Sequence, residues 1–382
     1  MQYFFTLGNH PELSKAEIEA KFEQLNIKFQ VITEQVDFVI LNIDQTIEHA
    51  ALIRQLAGTI KIGKINGPLK SLSAADLAKF IPDSKEKIRF GVSPYNLNID
   101  VDKIGRQIKS LLKNQGAKAR FVASKISPLS SVVVQKNLLG KNGIELAILR
   151  FDNQTFVGQT LAVQPFELFS KLDFGRPARD DFSGMLPLKL AQIMVNLAGT
   201  DPKQSLLDPF CGSGTILQQA IFLGHKNVIG ADASKKATKD TQENLDWLAG
   251  IAKENNLPFS RAKILLCPIE HLVEKIKPAS MDAIITEPYL GPPLKGHEPE
   301  SFLLHIISEL TKLYRPAIKS MATILKPSGT IIMVIPTFRI NGRLYQFDLH
   351  GLLPRSLKII ESWEYSRPDQ KIIRNIYRLK KQ

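Results

Sequence analysis

The chain has 382 residues, 44% apolar and 23% charged, which is too long for one ordinary domain and is neither disordered nor coiled-coil in composition. Two cysteines, Cys211 and Cys267, exclude a disulfide framework and a four-thiolate metal site. The net charge of +13 is unevenly placed: residues 51–150 hold 18 basic against 6 acidic side chains and 301–382 hold 14 against 5, a distribution suited to nucleic-acid-binding arms on a catalytic body as well as to plain solubility.

In chain order, the start lacks a basic segment and a long apolar core, so no signal peptide is expected. Residues 2–65 predict a β-α-β-β-α-β unit. The strand at 2–7 is followed by a helix that Ser14 and Glu17 open as a capping box. Short strands at 29–32 and 38–43, a helix at 47–56 and a strand at 59–65 complete a ferredoxin-like order. Between 71 and 170, Ser73 caps a short helix and 88–92 forms a strand. A basic helix then presents Lys103, Arg106 and Lys109, and strands follow at 143–150 and 156–163. Residues 171–177 break the pattern like a linker.

Beyond 174, strands at 205–208, 228–231, 264–266, 283–286 and 330–335 alternate with helices at 188–197, 215–222, 237–248 and 303–325. Such alternation predicts a parallel sheet covered on both faces. Two further strands in the tail (357–363 and 372–379) would end it antiparallel. The apolar run 331–335 is far short of a bilayer span, so a soluble cytoplasmic protein with no membrane partner is expected.

Chemistry concentrates in three places. The segment from Asp208 through Pro209, Phe210, Cys211, Gly212, Ser213 and Gly214 to Thr215 ends a strand and opens a helix. Its glycines let backbone approach a ligand at the carboxyl edge of the sheet, and it lacks the Gly-Lys-Ser/Thr of a phosphate loop. Asp232, ending the next strand, can accept from both ribose hydroxyls of an adenosine-bearing cofactor or cap the helix that follows; alone it does not separate a nicotinamide dinucleotide from S-adenosylmethionine. The fourth strand ends in Thr286-Glu287-Pro288-Tyr289. There a Glu287 oxygen and the Pro288 carbonyl can accept both protons of an exocyclic amino group while Tyr289 stacks on the ring. That would aim an amino nitrogen at an electrophilic methyl, catalysis by placement for which hydride transfer has no use.

These residues resemble the class I S-adenosylmethionine-dependent amino-methyltransferases. Arg176-Pro-Ala-Arg-Asp-Asp-Phe-Ser-Gly-Met-Leu-Pro-Leu-Lys-Leu-Ala is similar to the segment before the glycine loop in the THUMP-domain tRNA (guanine-10-N2)-methyltransferases of archaeal and eukaryotic type. Gly8-Asn9-His10-Pro11-Glu12-Leu13-Ser14 and Phe90-Gly91-Val92-Ser93 resemble that family's N-terminal segments. The resemblance implies a ferredoxin-like domain at 1–68, a THUMP-like RNA-binding domain at 69–170 and, at 171–382, a Rossmann-like methyltransferase with a mostly parallel seven-stranded sheet. It implies tRNA as partner and S-adenosylmethionine as cofactor, with no metal.

By the same resemblance, Gly212 and Gly214 pass the methionine part of the cofactor, together with Asp208, Phe210, Cys211, Ser213 and Thr215. Asp232 and Ala233 hold its ribose, and Pro187, after Gly184 and Met185, lies beside its carboxylate. Glu287, Pro288 and Tyr289 form the base platform, Glu287 also bordering the cofactor. Two positions depart from the family. Glu287 stands where an Asp or Asn is usual, and Glu270 or the Ile269 amide stands where an Asp reads the adenine amino group.

A thiolate at Cys211 is not favoured, since no Pro-Cys pair ends the fourth strand. His297 fits a capping role or a solvated loop, and the basic segment at Lys371 and Arg374 a phosphate contact or a surface turn. Adenine-N6 or guanine-N2 methylation of rRNA or DNA, and a non-catalytic RNA-binding role, are the alternative readings. A small activating subunit and the oligomeric state stay open.

Overall fold

The computed structural model describes residues 1–179 and 185–382 and divides by contact into two units, Met1–Leu168 and Phe169–Gln382. The first begins with β1 (Gln2–Leu7), α1 (Pro11–Gln24), β2 (Phe29–Glu34), β3 (Phe38–Ile43), α2 (His49–Gln55) and β4 (Thr59–Pro68). The order β2-β3-β1-β4, antiparallel throughout, is the expected ferredoxin-like arrangement. The apolar run of β1 reflects burial on both faces. Tyr3 and Phe5 pack with Ile18 and Phe22 of α1, whereas Phe4 joins Phe38, Ile40 and Tyr95 on the other side.

The expected capping box at Ser14 and Glu17 does not form. Pro11 starts the helix one turn earlier, because its fixed φ and missing N–H suit a first turn. Ser14 then donates to the His10 carbonyl, and buried Glu17 accepts from the Ala57 and Gly58 amides at 2.9 and 2.7 Å.

The chain continues through α3 (Ala74–Ala78), β5 (Ile88–Tyr95), α4 (Val101–Asn114), β6 (Ala119–Phe121), α5 (Ser131–Asn137), β7 (Gly143–Phe151), β8 (Gln154–Val163) and α6 (Phe166–Phe174). Ser73 does cap α3, accepting from the Asp76 amide. Residues 171–174, expected as linker, complete α6 and bury Leu172. Strands β4 and β8 pair antiparallel, so one eight-stranded sheet runs through the whole unit.

At its centre lies a buried ion pair. Lys61 of β4 donates to Glu145 of β7 at 2.5 Å and to the Leu129 carbonyl at 2.7 Å; Ser93 of β5 and Thr160 of β8 also donate to Glu145. Four strands thus share one charged cluster with both side chains almost fully buried.

The second unit adds α7 (Leu188–Leu197), β9 (Ser205–Asp208), α8 (Thr215–Phe222), β10 (Asn227–Asp232), α9 (Lys235–Asn255), β11 (Lys263–Leu266), α10 (Leu272–Lys275), β12 (Met281–Thr286), α11 (Glu300–Ile324), β13 (Leu325–Ile340), β14 (Arg343–Tyr345), β15 (Leu357–Tyr365) and β16 (Ile372–Lys381). Its sheet order is β11-β10-β9-β12-β13-β16-β15. The first five strands are parallel and the last two antiparallel, as expected, while β14 pairs additionally with β13. The core lies between this sheet and its helices, with Leu303, Leu310, Tyr314 and Ile318 of α11 packed beside Ile331 and Met333. Among the described residues, no helix is long and apolar enough to cross a membrane.

Removing one partner of a buried pair strands a desolvated charge. Lys61→Met should therefore cost about 3–5 kcal/mol of stability, read by urea unfolding. Adding Glu145→Gln, whose one amide oxygen accepts from Ser93 while its NH2 donates to the Thr160 hydroxyl, removes the stranded charge and should restore at least half of the loss.

Candidate active site

Strands β9, β10 and β12 all end at the carboxyl edge of the parallel sheet, where open α/β folds bind ligands. The glycine loop leaves β9 there. Gly212 (φ +52°) and Gly214 (φ +83°) both lie in the left-handed region, and Gly214 is the N-terminal cap of α8. A side chain on Gly214 would press on Thr241, whereas a Cβ on Gly212 would project into open space.

Two residues of α9 grip this loop. The Thr241 hydroxyl donates to the Gly212 carbonyl at 2.7 Å. Asn244 Nδ2 donates at 2.9 Å to the carbonyls of both Ser213 and Ala178, and its Oδ1 accepts from the Ala178 amide. Arg176, buried, donates to the Thr215 hydroxyl at 2.7 Å.

Asp232, half-buried, accepts the Gly212 amide on Oδ2 (3.0 Å) and the Ser234 amide on Oδ1 (2.8 Å). Asp232 does not cap α9: Ser234 is the cap, its hydroxyl accepting from the Ala237 amide. Each Asp232 oxygen keeps a lone pair for a further donor. Ala233 beside it is exposed.

Asp208 is buried at the end of β9 and accepts from the Thr286 hydroxyl (2.8 Å) and the Phe210 amide (3.1 Å), tying β9 to β12. Burial pushes its carboxyl up to about 7, helped by the nearby carboxylates Asp232 and Glu287 and opposed by those two hydrogen bonds. The Cys211 thiol is also buried and its pKa is driven up, so it is no thiolate nucleophile.

After β11, the Cys267 amide donates to the Asp232 carbonyl. The Ile269 side chain is in the core, and Glu270 is exposed. Pro187 immediately precedes α7 rather than lying in its first turn; Gly184 lies outside the described residues.

The base-platform segment follows β12. Pro288 is buried and Tyr289 is 55% exposed. The Tyr289 carbonyl is held by the Tyr314 hydroxyl of α11 at 2.6 Å. Glu287 is fixed by Arg374: Nε donates to Oε1 at 2.6 Å and Nη2 to Oε2 at 3.3 Å. Burial raises the Glu287 pKa and the Arg374 guanidinium opposes that rise.

Arg374 is therefore a buried partner inside β16, not part of a surface turn. His297 is exposed. Lys103, Arg106 and Lys109 are exposed on α4, whose other face buries Ile108 and Leu112, and Arg106 lies 3.9 Å from Asp102.

The site thus gathers Asp208, the glycine loop, Asp232 and Glu287-Pro288-Tyr289 at one edge. Sequence reasoning missed the roles of Thr241, Asn244 and Arg374. The first two had a signal, being polar residues three apart on a helix face that otherwise buries Leu245 and Leu248. The open space at Gly212 and the unfilled acceptors of Asp232 fit the methionine and ribose parts of S-adenosylmethionine.

A glycine loop, a carboxylate ending the next strand and a Glu-Pro-Tyr strand end meet at one edge of a mostly parallel sheet, the fold of a Rossmann-like methyltransferase. Residues 176–345 match the UPF0020 family model, an RMKL-like methyltransferase domain, so the second unit is an S-adenosylmethionine-dependent methyltransferase domain. The whole chain is similar to the tRNA (guanine(10)-N2)-dimethyltransferase of Methanothermobacter thermautotrophicus, 27% identical over 92% of this chain and 96% of that one. The enzyme of the same description from Methanocaldococcus jannaschii is 31% identical over 40% of this chain and 42% of its own. Among solved structures, TrmN from Thermus thermophilus has a similar fold (TM-score 0.58, 17% identity, all of both chains), as does SMU.472, solved in complex with SAH (TM-score 0.50, 12% identity, 100% and 98%).

The raised Asp208 carboxyl gives a pH signature. As pH rises from about 4 to 7 the unfolded chain releases this proton and the folded chain keeps it, so its contribution to stability is lost across that window. Between pH 5 and 8, the melting temperature of the wild type should fall relative to Asp208→Asn; parallel curves would contradict the shift.

Proposed function

We propose that this protein transfers methyl groups from S-adenosylmethionine to the exocyclic N2 of a guanosine in tRNA, guanosine 10, and that residues 69–170 act as a THUMP-like RNA-binding domain. The observation that carries this reading is the likeness to the tRNA (guanine(10)-N2)-dimethyltransferase of Methanothermobacter thermautotrophicus, which spans the N-terminal half as well as the methyltransferase domain.

In this reading the target guanine leaves its stack and enters the edge site, because a stacked base cannot bring its amino group in line with the cofactor. Tyr289 stacks on the ring; a Glu287 oxygen and the Pro288 carbonyl accept the two amino protons. Their electron density raises the nucleophilicity of a nitrogen whose lone pair is otherwise delocalised into the purine. Asp232 holds the cofactor ribose, and the glycine loop fixes its methionine part through backbone that Thr241 and Asn244 keep in place. Bound there, S-adenosylmethionine would supply an electrophilic methyl carbon; S-adenosylhomocysteine and one displaced amino proton are the by-products. The exposed cations of α4 meet the phosphate backbone and need not read sequence.

Incubation with S-adenosylmethionine and unmodified tRNA, followed by nucleoside mass spectrometry, should give N2-methylated guanosine mapped to position 10, with the mono- to dimethyl ratio read directly. Product from rRNA or DNA but not from tRNA would overturn the substrate assignment. Glu287→Ala should lower turnover at least 100-fold while tRNA affinity changes less than about threefold.

Replacing Lys103, Arg106 and Lys109 together should weaken tRNA binding and lower the slope of log K against log salt by about 2–3. An unchanged slope would place the RNA surface elsewhere.

A further inference from the structure

Glu287 and Arg374 lie two strands apart in the sheet. Glu287 follows the last residue of β12, Arg374 is in β16, and β13 runs between them. Arg374 is paired in register with Pro336 of β13 on one side and Tyr365 of β15 on the other, so its backbone is fixed by both neighbours. Its guanidinium meets the carboxylate at both oxygens (2.6 and 3.3 Å), and the two side chains are only 10% and 11% exposed. A two-point contact sets both the place and the plane of the carboxylate, which a single hydrogen bond does not. The same pairing leaves each oxygen a further lone pair.

We propose that Arg374 is a positioning residue for methyl transfer, holding the Glu287 carboxylate in one orientation so that an oxygen beside the Pro288 carbonyl is set for a proton of the target amino group. This rests on the platform role proposed for Glu287. In this role Arg374 acts through Glu287, its partner in the structure. Its effect therefore belongs to the chemical step, not to the binding of either substrate. The platform has a second support, the Tyr314 hydroxyl on the Tyr289 carbonyl, which fixes the backbone of the segment but not the carboxylate. A lysine at 374 would deliver one point charge with no fork, and a methionine would fill the stem with no donor at all.

The test compares kcat, KM for tRNA and calorimetric affinity for S-adenosylmethionine in the wild type, Arg374→Lys, Arg374→Met and Glu287→Ala. Arg374→Met should lose about 100-fold in kcat, with KM and cofactor affinity within about threefold of wild type. Arg374→Lys should recover about tenfold of that loss, which a residue needed only for packing would not produce. Equal kcat in the Lys and Met variants, or an equal fall in cofactor affinity and kcat, would overturn the proposal. Should Arg374→Met fail to fold, Arg374→Lys decides alone: wild-type kcat overturns the role, and a loss of tenfold or more at unchanged KM and cofactor affinity supports it. A Glu287→Ala variant that still turns over removes the platform reading itself. An inactive Glu287→Ala beside fully active Arg374 variants removes only the role of Arg374.

Discussion

Three carboxyl groups lie at one edge of a parallel sheet, and each is held there by its own set of donors. Each is satisfied differently. Asp208 is buried deepest and keeps its proton to about pH 7, bonded to the Thr286 hydroxyl and the Phe210 amide. Asp232 spends its charge on two backbone amides, one of them in the glycine loop, and so orders the loop that it faces. Glu287 has no such amides among the described residues and is matched by a full guanidinium. The nearby carboxylates Asp232 and Glu287 add to the burial that raises the proton affinity of Asp208.

The first unit meets the same problem in its interior. Four strands of its continuous sheet send Lys61, Ser93, Glu145 and Thr160 to one buried cluster, and Lys61 also reaches the Leu129 carbonyl ahead of α5. Such a cluster is poor evidence for net stability, because desolvation offsets much of the attraction. It does penalise any register in which one member lacks its partners. A one-residue slip of β4 against β8 would turn Lys61 to the opposite face.

The fold was legible where local pattern determines it. The alternation in residues 205–335 returned the strands and helices of the parallel sheet in order, and the ferredoxin-like order of the first sixty-odd residues held as well. The glycine loop, Asp232 and Glu287-Pro288-Tyr289 could be found because each sits at a strand end marked by its own sequence. What escaped was set at long range. Pro11 outweighed a nearby capping pattern at Ser14, a competition that only the helix start reveals. Residues 171–174 looked like linker because Phe174 and Gly175 end a helix that starts at Phe166. Arg374 looked like surface charge because nothing within 80 residues of it in sequence shows its partner: the separation is 87 residues.

That separation bears on the order in which the unit can assemble. The parallel strands, the glycine loop and Asp232 are complete once the chain has passed β13, and every contact among them joins residues that precede β16. Until the β15–β16 hairpin pairs with β13, Glu287 lacks the counter-charge of Arg374. Closing so long a loop is entropically slow beside the local steps. The edge that carries the glycine loop and Asp232 is therefore complete in sequence before the β15–β16 hairpin brings Arg374 to Glu287.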